Sequence, residues 1–428
     1  MPLLLSYIIS IFLFERIITM ISVKQAKDII LNSTNNLNSE KVQLLKSYNR
    51  ILAQDLYSQN DMPLFDNSAM DGFAVLYEDT IGASKENPIS LQIIGTISAG
   101  SNSDFNIISG QAVKIMTGAK MPNYADAVVI KENTFEKDNK VYIEKEAKKQ
   151  DNIRLIGSDV KKGDLLIEKG KRLGTADIGV LASNNFKKVC VFTQPKIAIL
   201  STGDELVNLG KKLAIGKIRN SNTYSLYSQV KKYGAIPIVL GISKDNKDEI
   251  INKIGSFNKY DIVIISGGIS VGDFDFTKKV FSELGVKEKF WSIAVKPGKP
   301  IYFGVKEKCL FFGLPGNPVS TIIGFEQFIA IAIEKLCGIE MQNRPIIKAK
   351  LEADYYKKND GKTHFVRAIY KIENGEFFVC PLSGFMSSSN ISSMSKANCL
   401  IILGQDEQNL KIGEKVEIQL THFNSFEV

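Results

Sequence analysis

Between Lys196 and Leu336 the chain alternates short apolar runs with segments of helical period, and this alternation restricts the fold more than any other feature. KIAIL (Lys196–Leu200), IPIVLG (Ile236–Gly241) and DIVIIS (Asp261–Ser266) have the length and texture of strands buried on both faces. Between them a helix is expected from about Ser221 to Gly234, with Leu226, Val230 and Tyr233 on one face and a glycine at its end. Further helices are expected over about Asn246–Ile254 and Phe276–Leu284, and KPIYFGV and CLFFG supply more strands. The last helix, about Pro318–Leu336, is apolar almost all round and should be buried. Strands and helices alternating at these lengths imply a doubly wound, mostly parallel sheet.

The flanking regions have a different texture. From Ile21 to about Tyr57 the pattern reads as helical, and Gly163–Ala182 reads as short strands and a helix. Phe65 to about Ile156 carries short β-branched runs divided by Gly, Asn and Asp, the spacing of a small, mostly β domain. After about Met341 alternating strands return, as a separate C-terminal β domain. At 428 residues the chain is too long for one hydrophobic core, and about three domains are expected from length alone.

Composition excludes several function classes. The formal charge of +8, from 54 Lys+Arg against 46 Asp+Glu, is scattered and has no block of like charge. It suits an anionic small ligand, and no nucleic-acid partner is expected. Five widely spaced cysteines without a C-x-x-C pair suggest neither a disulfide framework nor a zinc site, and so a reducing, cytoplasmic setting. With only His364 and His422, a metal here should be a hard cation bound through oxygen. The apolar run LLLSYIISIFLF (Leu3–Phe14) is too short to span a bilayer and lacks the flanks of a signal peptide. Residues 1–19 are read as an apolar extension or a mis-assigned start before Met20, and no membrane partner is expected.

Ligands of open parallel sheets bind at the carboxyl ends of the strands. Three unusual loops follow strands and should share that edge: STGDEL (Ser201–Leu206), SGGISVGDFD (Ser266–Asp275) and LPGNPVS (Leu314–Ser320). Thr202, Gly203, Ser266, Gly267, Gly268, Pro315, Gly316, Asn317 and Pro318 are the candidate binding positions. Their glycines allow close backbone approach, and Asn317–Pro318 reads either as a well-made helix start or as a phosphate site. Glu205, Asp273 and Asp275 suit Mg²⁺ beside phosphate, with helix capping as the alternative reading. Asp245 reads most simply as a cap. Lys296 and Lys299, in the stiff VKPGKP loop, either solubilise the surface or clamp an anion. DNSAMDGFA (Asp66–Ala74) has the residues of a solvated turn, yet it presents two carboxylates.

DNSAMDGFA, AVKIMTGAKMP…ADAVV, NIRLIGSDV, ILSTGDEL, SGGISVGDFDFT, AVKPGKPIYFG and GLPGNPVS occur in the order seen in the molybdopterin molybdotransferases, which this chain resembles over nearly all of residues 20–428. That family comprises the bacterial MoeA proteins and the equivalent domain of gephyrin. The resemblance implies an elongated homodimer with four domains per chain: a discontinuous α+β domain (20–64 and 156–192), a small β domain (65–155), an α/β molybdopterin-binding domain (193–340) and a C-terminal β barrel (341–428). It implies Mg²⁺-assisted insertion of molybdate into adenylylated molybdopterin with release of AMP, at a site between subunits. On this resemblance the functional positions fall on Asp66, Asp71, Thr117, Arg154, Asp159, Glu205, Asp245, Asp275, Lys296, Pro315 and Pro318. Ser158, Asn220 and Ser292 depart from the usual Glu, Asp and basic residue. A molybdopterin carrier, a scaffold, and the adenylyltransferase of the preceding step (also a candidate partner) are the competing readings.

Overall fold

The computed structural model describes residues 20–101, 104–269, 276–339, 345–382 and 387–421. The apolar run expected at residues 1–19 lies outside the described residues, as do Asp273 and Asp275.

The alternating region folds as its pattern requires. In chain order it contains β1 (Lys196–Thr202), α1 (Asn222–Lys232), β2 (Ile236–Ser243), α2 (Lys247–Ile254), β3 (Ile262–Ser266), α3 (Phe276–Glu283), β4 (Lys287–Ser292), β5 (Pro300–Lys306) and β6 (Cys309–Leu314). The sheet order is β2-β1-β3-β6-β5-β4. The first four strands are parallel, and β5 and β4 are added antiparallel at one edge. Alternate residues serve opposite faces. Ile197, Ile199, Ile262, Ile264, Phe312 and Leu314 enter one core, while Ala198, Leu200, Val263, Ile265 and Phe311 enter another. That is why these strands read as unbroken apolar runs, for neither face meets water. The helix after β6 starts as Pro318–Gly324, passes through a π turn at Phe325–Ile329 and continues as Ala330–Leu336. Its burial is nearly complete, as its composition implied.

Five C-terminal strands close into a barrel: β7 (Ile346–Leu351), β8 (Thr363–Glu373), β9 (Glu376–Pro381), β10 (Cys399–Leu403) and β11 (Lys415–Leu420). The ring runs β8-β9-β7-β11-β10 and returns to β8. A shared core that includes Phe365 and Leu400 joins the barrel to the α/β unit, and polar contacts add to it. Val295–Lys296 pairs in parallel with the start of β8, and Gln327 Nε2 donates to Gln419 Oε1 across 2.9 Å.

A six-stranded sheet forms the small β unit, and DNSAMDGFA supplies one of its inner strands, Gly72–Val75. The preceding Asn67–Ser68 pairs with Ile153–Arg154. Nearer the N-terminus the helical reading of residues 21–57 is half right. Val23–Asn32 is a helix, capped reciprocally by Ser22 and Gln25. Beyond it, Ser39–Gln43 is a strand against Lys188–Phe192, and Leu56–Tyr57 pairs with Leu165–Ile167. Local spacing fails there because the strands' hydrogen-bond partners lie more than a hundred residues away. Leu52 and Leu56 share a core with Ile167, Leu181 and Val191, so chain from both sides of the small β unit packs together.

Candidate functional site

Parallel register brings the expected loops to one rim, because Ser201 pairs with Ser266 and Ser266 with Leu314. Gly267 N–H donates to Leu314 O at 3.0 Å as β3 leaves the sheet. Only glycine fits here: φ is +100°, and a Cβ would lie 2.3 Å from the Thr202 carbonyl oxygen. Asn222, at the start of α1, ties two of the loops together by donating to Ser266 Oγ and to Gly316 O, each at 2.8 Å. Asn317 occupies the cap position of its helix, yet its side chain makes no capping bond. Its Nδ2 donates instead to Ser388 Oγ of the barrel region at 3.0 Å.

Between this rim and the barrel lies a cavity of about 950 Å³. Thr202, Glu205, Ser266, Lys296, Lys299 and the stretch Pro315–Pro318 line it, as expected. Gly203, Gly267 and Gly268 shape the adjoining backbone without lining it. The barrel's share was missed in the sequence: Lys357, Lys358, Lys362, His364 and Arg367 also line the cavity. One signal was available, namely an arginine inside the apolar strand HFVRAIY. Among the described residues the lining holds seven Lys or Arg side chains against one carboxylate, Glu205. Arg367 is 2% exposed and bonds only neutral oxygens, among them Ser387 O at 3.3 Å and Ser393 Oγ. It has no carboxylate partner among the described residues. A buried guanidinium without an acid calls for an anion.

Beside the cavity, the reading of Asp245 as a cap is overturned. Asn246 caps α2 by accepting from Glu249 N–H, while Asp245 Oδ1 is buried without a hydrogen-bond partner among the described residues. Burial, and then the charges of Asp204 and Glu205, push the Asp245 carboxyl above the ordinary carboxylate range. A cation would relieve this clustering of negative charge, and the all-oxygen donor set suits Mg²⁺. Among the described residues no group of three metal-ligating side chains converges, so the protein would supply only part of an ion's shell from them.

The remaining candidates sit on and beside the small β unit. Asp71 Oδ1 accepts from both the backbone N–H and the hydroxyl of Thr117, each at 2.8 Å. Those two bonds, aided by Lys131, hold the Asp71 carboxyl below its usual range. Asp66 Oδ1 accepts from Ile156 N–H at 2.7 Å, and Arg154 reaches Ala69 O at 3.5 Å. Asp159 is exposed, its backbone N–H bonded to Met62 O at 2.9 Å. None of these residues lines the large cavity, and Asp71 borders a separate cleft of about 350 Å³ with Lys114 and Lys131. Of the three departures, Asn220 is buried and joins Ser201 and Thr223 at the rim, Ser292 is buried outside the lining, and Ser158 is exposed.

Geometry alone defines a multidomain protein with a cation-rich cavity between a doubly wound sheet and a β barrel. Sequence comparison makes this specific. Residues 21–184 match the family model of the MoeA N-terminal region (domain I and II), 198–335 that of the probable molybdopterin binding domain, and 348–421 that of the MoeA C-terminal region (domain IV). The molybdopterin molybdenumtransferase of Staphylococcus aureus is 38% identical over 95% of this chain and 97% of its own length. That of Staphylococcus epidermidis is 36% identical over 96% and 97%. A solved structure described as a molybdopterin biosynthesis MoeA protein, from Pyrococcus horikoshii OT3, superposes with a TM-score of 0.80 at 30% identity, over 94% of this chain and all of that one. The chain belongs to the molybdopterin molybdenumtransferase family, transferases of molybdenum cofactor biosynthesis.

Proposed function

We propose that this protein inserts molybdate into adenylylated molybdopterin with release of AMP, in a Mg²⁺-dependent reaction. The observation that carries the reading is the cavity's charge: among the described residues, seven cations, a single carboxylate, and a buried Arg367 with no acid beside it. Molybdate and the substrate's phosphates are the anions that match it. Lys296, Lys299 and Arg367 hold molybdate, and Lys357 and Lys362 strengthen the local positive field. The edge formed by Thr202, Gly203, Ser266, Gly267, Gly268, Pro315, Gly316, Asn317 and Pro318 positions the pterin and its phosphates through backbone N–H groups and hydroxyls. The substrate's own sulfurs bond molybdenum, so no cysteine of the chain takes part, which fits the burial of Cys309, Cys337 and Cys399.

Glu205, Asp273 and Asp275 would hold Mg²⁺, with Asp245 close to Glu205. Bound there, the ion would neutralise phosphate oxygens as AMP leaves. Asp245 Oδ1, buried and unpartnered among the described residues, and the crowding of this carboxyl by Asp204 and Glu205 support a cation at this edge.

Asp66, Asp71, Thr117, Arg154 and Asp159 act, on this reading, from the second chain of a homodimer. Support comes from their absence from the cavity of their own chain. Exposed Leu64, Phe65, Met70 and Ile156 around them are also what an interface would cover. We further assign the division 20–64 with 156–192, 65–155, 193–340 and 341–428, supported by separate cores in the small β unit, the barrel and the discontinuous unit.

The decisive assay offers adenylylated molybdopterin and Mg²⁺ with and without molybdate and follows AMP. Molybdate-dependent release supports the proposal. Retained pterin without turnover would make the protein a carrier, and formation of the adenylate from ATP would make it the preceding enzyme.

A further inference from the structure

His364 is the one histidine among the described residues, and it stands on the wall of the cationic cavity although only 4% of it is exposed. The parallel pairing of Val295–Lys296 with β8 sets it in register with Lys296. Its Nε2 lies 3.0 Å from Asp360 Oδ1, and the other oxygen of Asp360 receives Lys362 Nζ at 3.2 Å. Burial opposes the charge on Asp360, but the bonds from His364 and Lys362 hold its carboxyl down at about 2. An ionised carboxylate only accepts, so Nε2 carries the hydrogen and Nδ1 of the neutral ring is a lone pair. Nδ1 has no hydrogen-bond partner among the described residues. The other titratable side chains among the described lining residues are mostly fixed cations that give hydrogen bonds, so this base is the odd member.

Lys296 pairs with His364 from the neighbouring strand, and Lys357, Asp360 and Lys362 precede it in the chain, with Lys362 sharing the Asp360 carboxylate. Arg367 lies three residues further along its strand as another lining cation. Tyr355, another lining residue, is kept neutral because burial raises its hydroxyl, and the residue opposite on β10 is Leu403. Burial, reinforced by Lys296 and Lys357 and opposed by Asp360, lowers the imidazole below its ordinary value. The ring is therefore neutral near pH 7 while the cavity is empty. A dianion beside it reverses the cationic contribution, so protonation and anion binding favour each other.

We propose that His364 takes up a proton through Nδ1 when molybdate enters the cavity and delivers it to the oxygen that leaves molybdenum. The assignment rests on the insertion reaction proposed above. There, a molybdenum–oxygen bond breaks and two molybdenum–sulfur bonds form. Both thiol protons depart on the leaving oxygen as water, and no electron is transferred. His364 carries one of these protons: the imidazolium gives it to the departing oxygen and regains one from a thiol. Asp360 keeps Nε2–H fixed, so Nδ1 remains the working atom.

Calorimetric titration of the full-length protein with sodium molybdate at pH 7, in two buffers of different ionisation enthalpy, measures proton uptake. Wild type should take up a measurable fraction of a proton per molybdate. His364→Gln should bind molybdate at pH 8 within a few-fold of wild type, yet without uptake. Its kcat for AMP release should fall by about 100-fold or more with little change in KM for molybdate. As a check that keeps His364 in place, His422→Gln leaves it as the sole imidazole. Its NMR titration should move to higher pH when molybdate is added. Molybdate binding without proton uptake by wild type, or full turnover by His364→Gln, overturns the role of His364 alone. Failure of wild type to bind molybdate overturns the insertion reading with it.

Discussion

Three glycines of the substrate rim provide a graded test of the site's construction. At Gly267 an alanine Cβ would stand 2.3 Å from the Thr202 carbonyl oxygen, whereas real Cβ contacts do not fall below 3.0 Å. The ends of β1 and β3 must therefore separate by at least 0.7 Å, the difference of those distances, in a backbone already at φ +100°. Forcing a non-glycine residue into such a region costs about 1–3 kcal/mol before the clash is counted, so a total near 3 kcal/mol or above is expected. In an α/β unit of this size that is roughly a 6–12 °C fall in Tm. The displacement carries Thr202 and Glu205 away from the LPGN loop, and a shift approaching 1 Å costs about 100-fold in rate. Gly268→Ala meets Thr202 Oγ1 at 2.9 Å and Thr277 Oγ1 at 3.0 Å, and side chains yield more readily than backbone. It should be intermediate. Gly316→Ala meets only Gly267 Cα among the described residues, at 3.8 Å, and should keep its stability within about 0.5 kcal/mol of wild type. Thermal melting and molybdate-dependent AMP release would be measured on all three variants. If Gly267→Ala melts and turns over like wild type, or if Gly316→Ala is the worst of the three, the described rim is wrong.

Arg367→Gln removes charge-assisted bonds worth about 1.5–3 kcal/mol, so calorimetry should show molybdate binding roughly 10–100-fold weaker; unchanged affinity would take Arg367 out of the anion site. Asp245 has a raised folded-state carboxyl, so its destabilising effect is full at neutral pH and is relieved as pH falls through that value toward the ordinary carboxylate range. Asp245→Asn should accordingly raise Tm at pH 8 more than at pH 4 while abolishing Mg²⁺-stimulated AMP release; equal Tm changes at both pH values would contradict the charge crowding. Thr117→Val removes one of two bonds to Asp71 Oδ1 and should lower turnover by about tenfold at constant Tm, a loss near 1.4 kcal/mol. Wild-type kcat in that variant would sever Asp71 from the reaction.

Much of the α/β unit was legible from residue order because its strands are buried on both faces, which leaves a local mark. β1, β3 and β6 appear as apolar runs, and the loops after them had to share a rim once the strands were parallel. The discontinuous N-terminal unit was legible only in its first helix. Ser39–Gln43 carries little apolar character and is a strand because Lys188–Phe192 offers it a ladder.

The chain's sequence by itself determined the doubly wound sheet, the family-wide loops and the positions of Lys296, Lys299 and Glu205 at the rim. Only the tertiary structure decided that the barrel folds back over that rim, bringing Arg367, His364 and their neighbouring lysines into the same cavity. It also turned Asp245 from a presumed cap into a buried, charge-crowded carboxylate, and left Asp71 and Thr117 outside that cavity. The physical reason is range. Periodicity and turn chemistry act over a few residues, whereas burial, field and convergence are set by segments far apart in the chain that meet only when it folds.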